Sequence, residues 1–446
     1  MDRLQAGLTG CVELLQEYRG LMESQATASY VQGQLECVDS AWLRDLETLT
    51  YEELVHLPEH TSLLMHTGLQ HFIQRVVSLY PQYQQWTEEL HPTALEVRDM
   101  TPKKVHEVSR LSAFIAHIAS ETKVTDVVDL GAGLGYLSHF LACRCSLSVL
   151  AVESKVHNSH ASRTRSDYIS SKTQQSGDFQ AVSLHVTDSN FATLCEKPCL
   201  LVGLHTCGDL APVSLRMAAA VPTVRAVINV GCCYNLLTET IAPEAKERFS
   251  QYFSRIGVNL EGKSLDQTFV SGPNAGFPMS AYLRSRYPAF YLGRMARTLA
   301  QNDFSDQMMS QPAENMRKFS FRAAFQCLLG ELFPHLSSTY AVGKTKFSTN
   351  FAQYVRKASK NMHIQISLSD EELEAIYTEK YRPMEKKAAG LWVLRTLLAP
   401  VVEHLLVCDR AIYLQEQGLE TSVWQVFDRE VSPRCTVLMG VKPAPC

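Results

Sequence analysis

The run Val127-Val128-Asp129-Leu130-Gly131-Ala132-Gly133-Leu134-Gly135-Tyr136-Leu137-Ser138 is the most informative part of this chain. A hydrophobic segment ends in an acid, three glycines follow at alternate positions, and a helix-compatible segment begins. Glycine lets a backbone turn tightly and lets a ligand approach where a side chain would clash. A helix starting beyond the turn offers unpaired N–H groups and partial positive charge. Asp129, just before the turn, is suited to bind a cationic amine directly or through water. The third glycine comes one residue too early for the G-x-G-x-x-G fingerprint of nicotinamide-binding turns, which disfavours that chemistry. A tight strand-to-helix turn without a ligand is the other reading of the same residues.

Outward from this turn the pattern alternates. Lys104 to Ala119 sets Val105, Val108, Leu111, Ile115 and Ile118 along one helical stripe. Val124–Leu130, Ser148–Val152, Ala181–Val186, Cys199–Leu204 and Ala226–Val230 read as strands. Ser154–Ile169 and Ala211–Ala220 read as intervening helices. Strands at helix-sized intervals predict βαβ units, hence an α/β, Rossmann-like sheet with helices on both faces. The continuous apolar runs LLVGL and AVINV suit strands covered on both sides. The organisation expected is a helical region over residues 1–100, a sheet-bearing core over 101–240 and a mainly helical insertion over 241–387. Residues 388–446 then add a long helix, Ala388 to about Gln415, and a hairpin of Ser422–Phe427 and Cys435–Val441 that completes the sheet. In the N-terminal region, Thr50 to Glu53 has a capping pattern, and Phe72, Val76, Val77 and Tyr80 recur at helical spacing.

The chain has 446 residues, 46% hydrophobic and 20% charged, with a formal net charge of −4. Such a balance gives no general attraction to nucleic acid, so any contact of that kind needs a local basic patch. The opening MDRLQAGLTG has no basic segment followed by an apolar run, so a soluble cytoplasmic or nuclear protein with reduced thiols is expected despite 13 cysteines. No C-x-x-C pair occurs, and no metal site is expected. Leu391 to Val407 is apolar enough to suggest a membrane span, but it holds Arg395, Glu403 and His404. Each ion at a bilayer centre costs about 2.5–3.5 kcal/mol. A core helix is the better reading, and no stable membrane insertion is expected.

The D-x-G-x-G-x-G turn resembles that of Rossmann-like methyltransferases. The resemblance implies S-adenosyl-L-methionine as cofactor, with Asp129, Gly131, Gly133 and Gly135 around it. Glu153 ends the next strand about twenty residues on, where a carboxylate can accept hydrogen bonds from both ribose hydroxyls; a helix-cap residue is the alternative. Asp188, in HVTDSN, is placed either to meet an adenine amino group or to make a turn.

Reacting groups in open α/β sheets gather at the carboxyl ends of strands. Those ends here are GLHTCGDLAP and INVGCCYNLL, giving His205, Asp209 and Tyr234 as catalytic candidates. His205 reads as a general base or as a structural histidine. Asp209 reads as a helix N-cap or as an acid. Cys232 and Cys233 read as packing residues, because no sulfur partner has ligand spacing.

Three further segments extend the resemblance: MTPKKVHEVSR (Met100 to Arg110), HTCGDL with GCCYN, and GFPMS (Gly276 to Ser280) with the late VFDREVSPR. With the glycine turn they identify the chain as similar to the methyltransferase-like protein 25 family, most closely its 25B branch. The N/D-P-P-Y/F element of adenine-N6 methyltransferases is absent, and His205-Thr206-Cys207-Gly208 stands in its place. The eukaryotic tRNA acceptor-stem 2′-O-methyltransferases have a similar histidine-x-cysteine-glycine segment and a double cysteine, matched here by His205, Cys207, Gly208, Cys232 and Cys233. That family follows its double cysteine with histidine, where this chain has Tyr234.

The expected activity is therefore methyl transfer to an undetermined acceptor, with RNA slightly ahead of a protein side chain or a small metabolite; an inactive scaffold of the same fold is the alternative. An RNA surface is expected at Lys344, Lys346, Arg356, Lys357 and Lys360, with interleaved Phe347, Phe351 and Tyr354 as stacking groups. A solvated helix with an apolar core face is the other reading of that stretch.

Overall fold

The computed structural model describes residues 2–24, 29–30, 34–172, 177–187, 189–247, 269–272, 274–301, 311–333, 345 and 348–443. Its centre is an eight-stranded sheet. The strands are β1 (Gln84–Gln85), β2 (Asp126–Leu130), β3 (Ser148–Glu153), β4 (Phe179–Ser183), β5 (Cys199–Thr206), β6 (Val224–Gly231), β7 (Glu420–Gln425) and β8 (Thr436–Val441). They lie side by side in the order β1-β7-β8-β6-β5-β2-β3-β4. Strands β2 to β6 pair in parallel, whereas β8 is antiparallel to both β6 and β7. The C-terminal hairpin thus completes the sheet, with Val423 opposite Leu438.

Alternation along the strands separates two cores. On one face Val127, Val149, Leu200, Val202 and Ile228 meet Leu111, Phe114 and Ile115 of helix Pro102–Thr122. On the other, Val128, Val152, Leu201 and Val227 meet Val213, Leu215 and Met217 of helix Leu210–Ala220. Both apolar runs seen in the sequence are buried because each side of the sheet carries helices.

The chain moves from β2 outward to β3 and β4, then returns to place β5 on the other side of β2. The connections therefore diverge at the carboxyl ends of β2 and β5, which opens a crevice there. Gly131 follows one of these strands and His205 lies at the end of the other.

Two features depart from the sequence reading. The first hundred residues are not wholly helical: Gln84 and Gln85 form edge strand β1, and Trp86 N–H donates to Gln425 O at 2.9 Å. Two exposed glutamines carry no alternating pattern, so backbone pairing with β7 alone makes the strand. The expected long helix is two, Glu385–Leu397 and Ala399–Glu416, with Pro400 in the first turn of the second. Proline has no N–H to continue the helical ladder, so the chain restarts there. The helical run from Asp370 to Glu416 is long and apolar enough by composition to cross a membrane, but 83% of its most apolar stretch is buried inside the protein.

Helix Asp2–Glu17 lies on Ala399–Glu416, and Leu8, Leu14 and Leu15 share a core with Leu391, Val401 and Leu405. The Thr50–Glu53 capping box is formed. Helices Pro312–Leu332 and Phe351–Asn361 gather a separate aromatic cluster around Phe321, Phe351 and Tyr377.

Candidate functional site

Gly131, Gly133 and Gly135 all have positive φ, at 74°, 58° and 72°. Their environments divide their roles. A Cβ on Gly133 would meet no heavy atom within 4 Å, so this glycine borders open space. A Cβ on Gly135 would strike Ser162 Oγ, so this one lets the turn pack on helix Val156–Ser170.

Asp129 lies beneath the turn, 1% exposed, and accepts a hydrogen bond from Ser138 Oγ at 2.6 Å. Burial raises its carboxyl from the ordinary 3.8 to about 6, against the opposing hydrogen bond from Ser138 and the attraction of Lys104. A buried carboxylate with one hydroxyl partner fits a cationic ligand. Glu153, at the end of β3, accepts from Gly133 N–H at 3.0 Å and from Lys155 N–H at 2.9 Å. One of its oxygens therefore holds the glycine turn itself and the other the start of the following helix. Asp188 lies outside the described residues.

Two adjoining hollows meet at Gly131 and His205. The larger, about 680 Å³, is lined by Glu153, Lys155, Cys207, Asp209 and Arg216 among others; the smaller, about 270 Å³, has Lys104, Asp129 and Gly133 in its wall. The turn, both acids and the ends of β3 and β5 thus open on one crevice.

His205 has φ of 63°, in the left-handed region where a non-glycine residue is unusual. Its Nε2 lies 2.9 Å from Glu107 Oε1. Glu107 is fully buried, receives the Ser432 hydroxyl at 2.8 Å and pairs with Lys104 Nζ at 2.9 Å. Burial alone would raise the Glu107 carboxyl, but the hydrogen bond and charge of His205, followed by Lys104, hold it down at about 2. An ionised carboxylate therefore fixes the ring, and the Nε2 hydrogen points at it. Nδ1 is then the basic nitrogen. Sequence reading missed Glu107 and Ser432. Both belong to segments carrying the family resemblance, Met100 to Arg110 and the late VFDREVSPR, and only the fold joins them.

The other catalytic candidates are placed differently. Asp209 stands at the N-cap position of Leu210–Ala220 but makes no side-chain cap bond. Its Oδ1 instead accepts from Thr238 N–H at 2.9 Å, tying the loop after β6 to the loop after β5. Gly276 presses on the same carboxylate, where a Cβ would collide with Oδ1. Tyr234 is corrected outright as a group touching substrate. It is 2% exposed, its hydroxyl donates to Glu403 at 3.2 Å, and Arg410 sits over its ring. The short helical turn Tyr234–Leu236 points this ring into the core rather than the crevice.

Three of the cysteines, from two separate stretches of the sequence, lie together. Cys207 Sγ lies 3.1 Å from Cys232 Sγ and 3.2 Å from Cys233 Sγ, and the adjacent pair is 3.5 Å apart. Spacing along the sequence hid this partner because β5 and β6 are neighbouring parallel strands whose ends converge.

The described residues of the basic stretch differ in their surroundings. Lys344 and Lys346, with Phe347, lie outside the described residues. Arg356 pairs with Asp370 at 2.8 Å and donates to Ile366 O at 3.0 Å. Phe351 and Tyr354 are buried core residues, so neither is available for stacking on a base. Lys360 is exposed at the helix end, and Lys357 is also exposed.

Strand order, the hairpin antiparallel at the sheet end and the bare glycine turn beside two acids define a Rossmann-like methyltransferase domain. Residues 103–240 match the family model described as a methyltransferase domain. The chain is 32% identical over 309 residues to the probable methyltransferase-like protein 25 of Mus musculus, covering 66% of this chain and 47% of that protein. To the Homo sapiens protein of the same description it is 30% identical over 284 residues, covering 61% and 42%. The chain carries a methyltransferase domain and is similar to methyltransferase-like protein 25, and the match spans less than half the length of these curated relatives.

Proposed function

We propose that this chain is an S-adenosylmethionine-dependent methyltransferase. The observation that carries the proposal is the crevice between the ends of β2 and β5, bordered by Gly133 and walled by Asp129 and Glu153. When bound, the cofactor supplies an electrophilic methyl group on a sulfonium centre. Gly131 and Gly133 leave room for it without side chains, Asp129 offers charge to its ammonium group, and Glu153 offers carboxylate oxygens to its ribose hydroxyls.

His205, oriented by Glu107, receives at Nδ1 the proton of an acceptor that must lose one. Alignment of acceptor and donor contributes up to about 7–11 kcal/mol in well-oriented systems, and the base adds a smaller share. RNA is the acceptor we favour. A ribose hydroxyl needs a base, and Lys155 and Arg216 in the crevice wall suit a polyanion.

Incubation of the full chain with radiolabelled S-adenosylmethionine and lysate from cells lacking the protein tests both statements. Ribonuclease-sensitive label is expected. Protease-sensitive label would overturn RNA as acceptor, and absence of any label in every fraction would overturn transfer itself in favour of a scaffold.

A further inference from the structure

Cys207, Cys232 and Cys233 form the tightest group of metal-ligating atoms among the described residues, and the mechanism above does not use them. We infer that these three sulfurs are a binding site for a single zinc ion at the edge of the methyl-transfer crevice.

The distances support a shared ion rather than a covalent bridge. All three cysteines are free, and their separations of 3.1 to 3.5 Å far exceed a disulfide bond of about 2.05 Å. Zinc–thiolate bonds are about 2.3 Å, so one point off the plane of this triangle reaches all three sulfurs at bonding length. A set made only of sulfur selects a thiophilic d10 ion and disfavours magnesium or calcium, which require oxygen ligands.

The cluster is also built rather than incidental. Cys207 belongs to the loop after β5, the other two to the loop after β6, and three features hold these loops together. Gly208, at φ of 55°, lets its backbone approach Leu236 where a Cβ would come within 2.8 Å. Asp209 Oδ1 accepts from Thr238 N–H across the same gap. Thr206 Oγ1 donates to Val230 O at 3.1 Å just below. The sulfurs are positioned by backbone packing and side-chain hydrogen bonds that do not involve an ion.

Three protein ligands leave one tetrahedral position, the arrangement of zinc sites that keep a water or substrate bound. Cys207 is exposed and lines the large hollow, so that position lies within reach of an acceptor. On binding, each thiol gives up its proton to solvent and each thiolate donates a lone pair to Zn²⁺; no oxidation occurs.

The test uses the full chain, purified without chelator and dialysed against Zn²⁺, with metal measured by mass spectrometry. Unmodified protein and the remote Cys37→Ser variant are expected to keep one zinc per chain. Cys207→Ser is expected to lose it while retaining its circular dichroism, since this side chain is exposed and packs in no core. Co²⁺ replacement should give a near-ultraviolet thiolate-to-metal charge-transfer band that Cys207→Ser and Cys233→Ser lack. Zinc no higher in the unmodified chain than in Cys207→Ser, a cobalt adduct without that band, or a disulfide among the three in mapped peptides would each overturn the site. None of these readouts depends on cofactor binding or methyl transfer.

Discussion

Burying Asp129 costs the fold stability and equips the crevice for a cation. Its carboxyl rises from 3.8 to about 6, so the folded protein holds this proton more tightly than the unfolded chain does. The penalty therefore develops as pH rises from the lower value to the higher and is complete near neutrality. At about 1.4 kcal/mol per pH unit it is on the order of 3 kcal/mol. Asp129→Asn should accordingly raise the thermal unfolding midpoint at neutral pH while weakening the cofactor, a pairing read by calorimetry and scanning fluorimetry. A variant that lost stability would refute the assignment of burial as the dominant cause. Because protonation removes the charge, affinity of the unmodified chain for S-adenosylmethionine should fall by up to about tenfold between about pH 7 and about pH 5.

His205 needs a different probe. Its left-handed backbone strains most side chains but suits asparagine. His205→Asn should therefore keep the fold and cofactor affinity yet reduce kcat by about 10²–10⁴, the usual worth of a general base. Glu107→Gln should lower kcat in the same direction and leave cofactor affinity unchanged. Unaltered turnover in both would remove the base from the mechanism.

At the level of elements, the glycine turn does two jobs at neighbouring positions. Gly133→Ala meets open space, so its folding cost is the left-handed strain of about 1–2 kcal/mol, but its methyl group projects into the crevice. Gly135→Ala adds the same strain and also collides with Ser162 on helix Val156–Ser170, whose side chain must give way. We expect Gly133→Ala to lose cofactor affinity with a small drop in unfolding midpoint, and Gly135→Ala to lose far more stability. The reverse ranking in denaturant titrations would contradict this division.

The same elements explain what could be read in the sequence. β2, β5 and β6 were legible because burial on both faces writes continuous apolar runs, and the turn was legible because left-handed backbone demands glycine. β1 was not, since two glutamines joined through backbone bonds leave no side-chain signal. In the sequence Asp209 reads as a helix cap or an acid, because its position allows either. Its actual bond to Thr238 depends on two loops meeting, which no local pattern records.

The whole molecule is held by contacts between distant parts of the chain. Leu15, wholly buried in helix Asp2–Glu17, packs in the core shared with Val401 and Leu405. Leu15→Ala should cost about 2–5 kcal/mol, measured by denaturant unfolding. A negligible loss would mean that the N-terminal helix is not part of this core. Within GFPMS, Met279 N–H, Ser280 N–H and Ser280 Oγ all bond to Asp409, and buried Glu239 pairs with Arg297 at 3.1 Å. The Asp409 bonds fasten GFPMS to helix Ala399–Glu416, while the Glu239–Arg297 pair braces the segment after β6 against its own helix Gly293–Leu299. The Glu107–Ser432 contact and the meeting of the three sulfurs escaped sequence reading for the same reason: partners separated by 25 to 325 residues come together only in the fold.

The most direct measurement is titration calorimetry of the full chain with S-adenosylmethionine, comparing the unmodified protein with Gly133→Ala at neutral pH. Saturable binding by the first and its loss in a still-folded second is the result expected. No binding by the unmodified chain, or equal affinity in both, would contradict the crevice as the cofactor site.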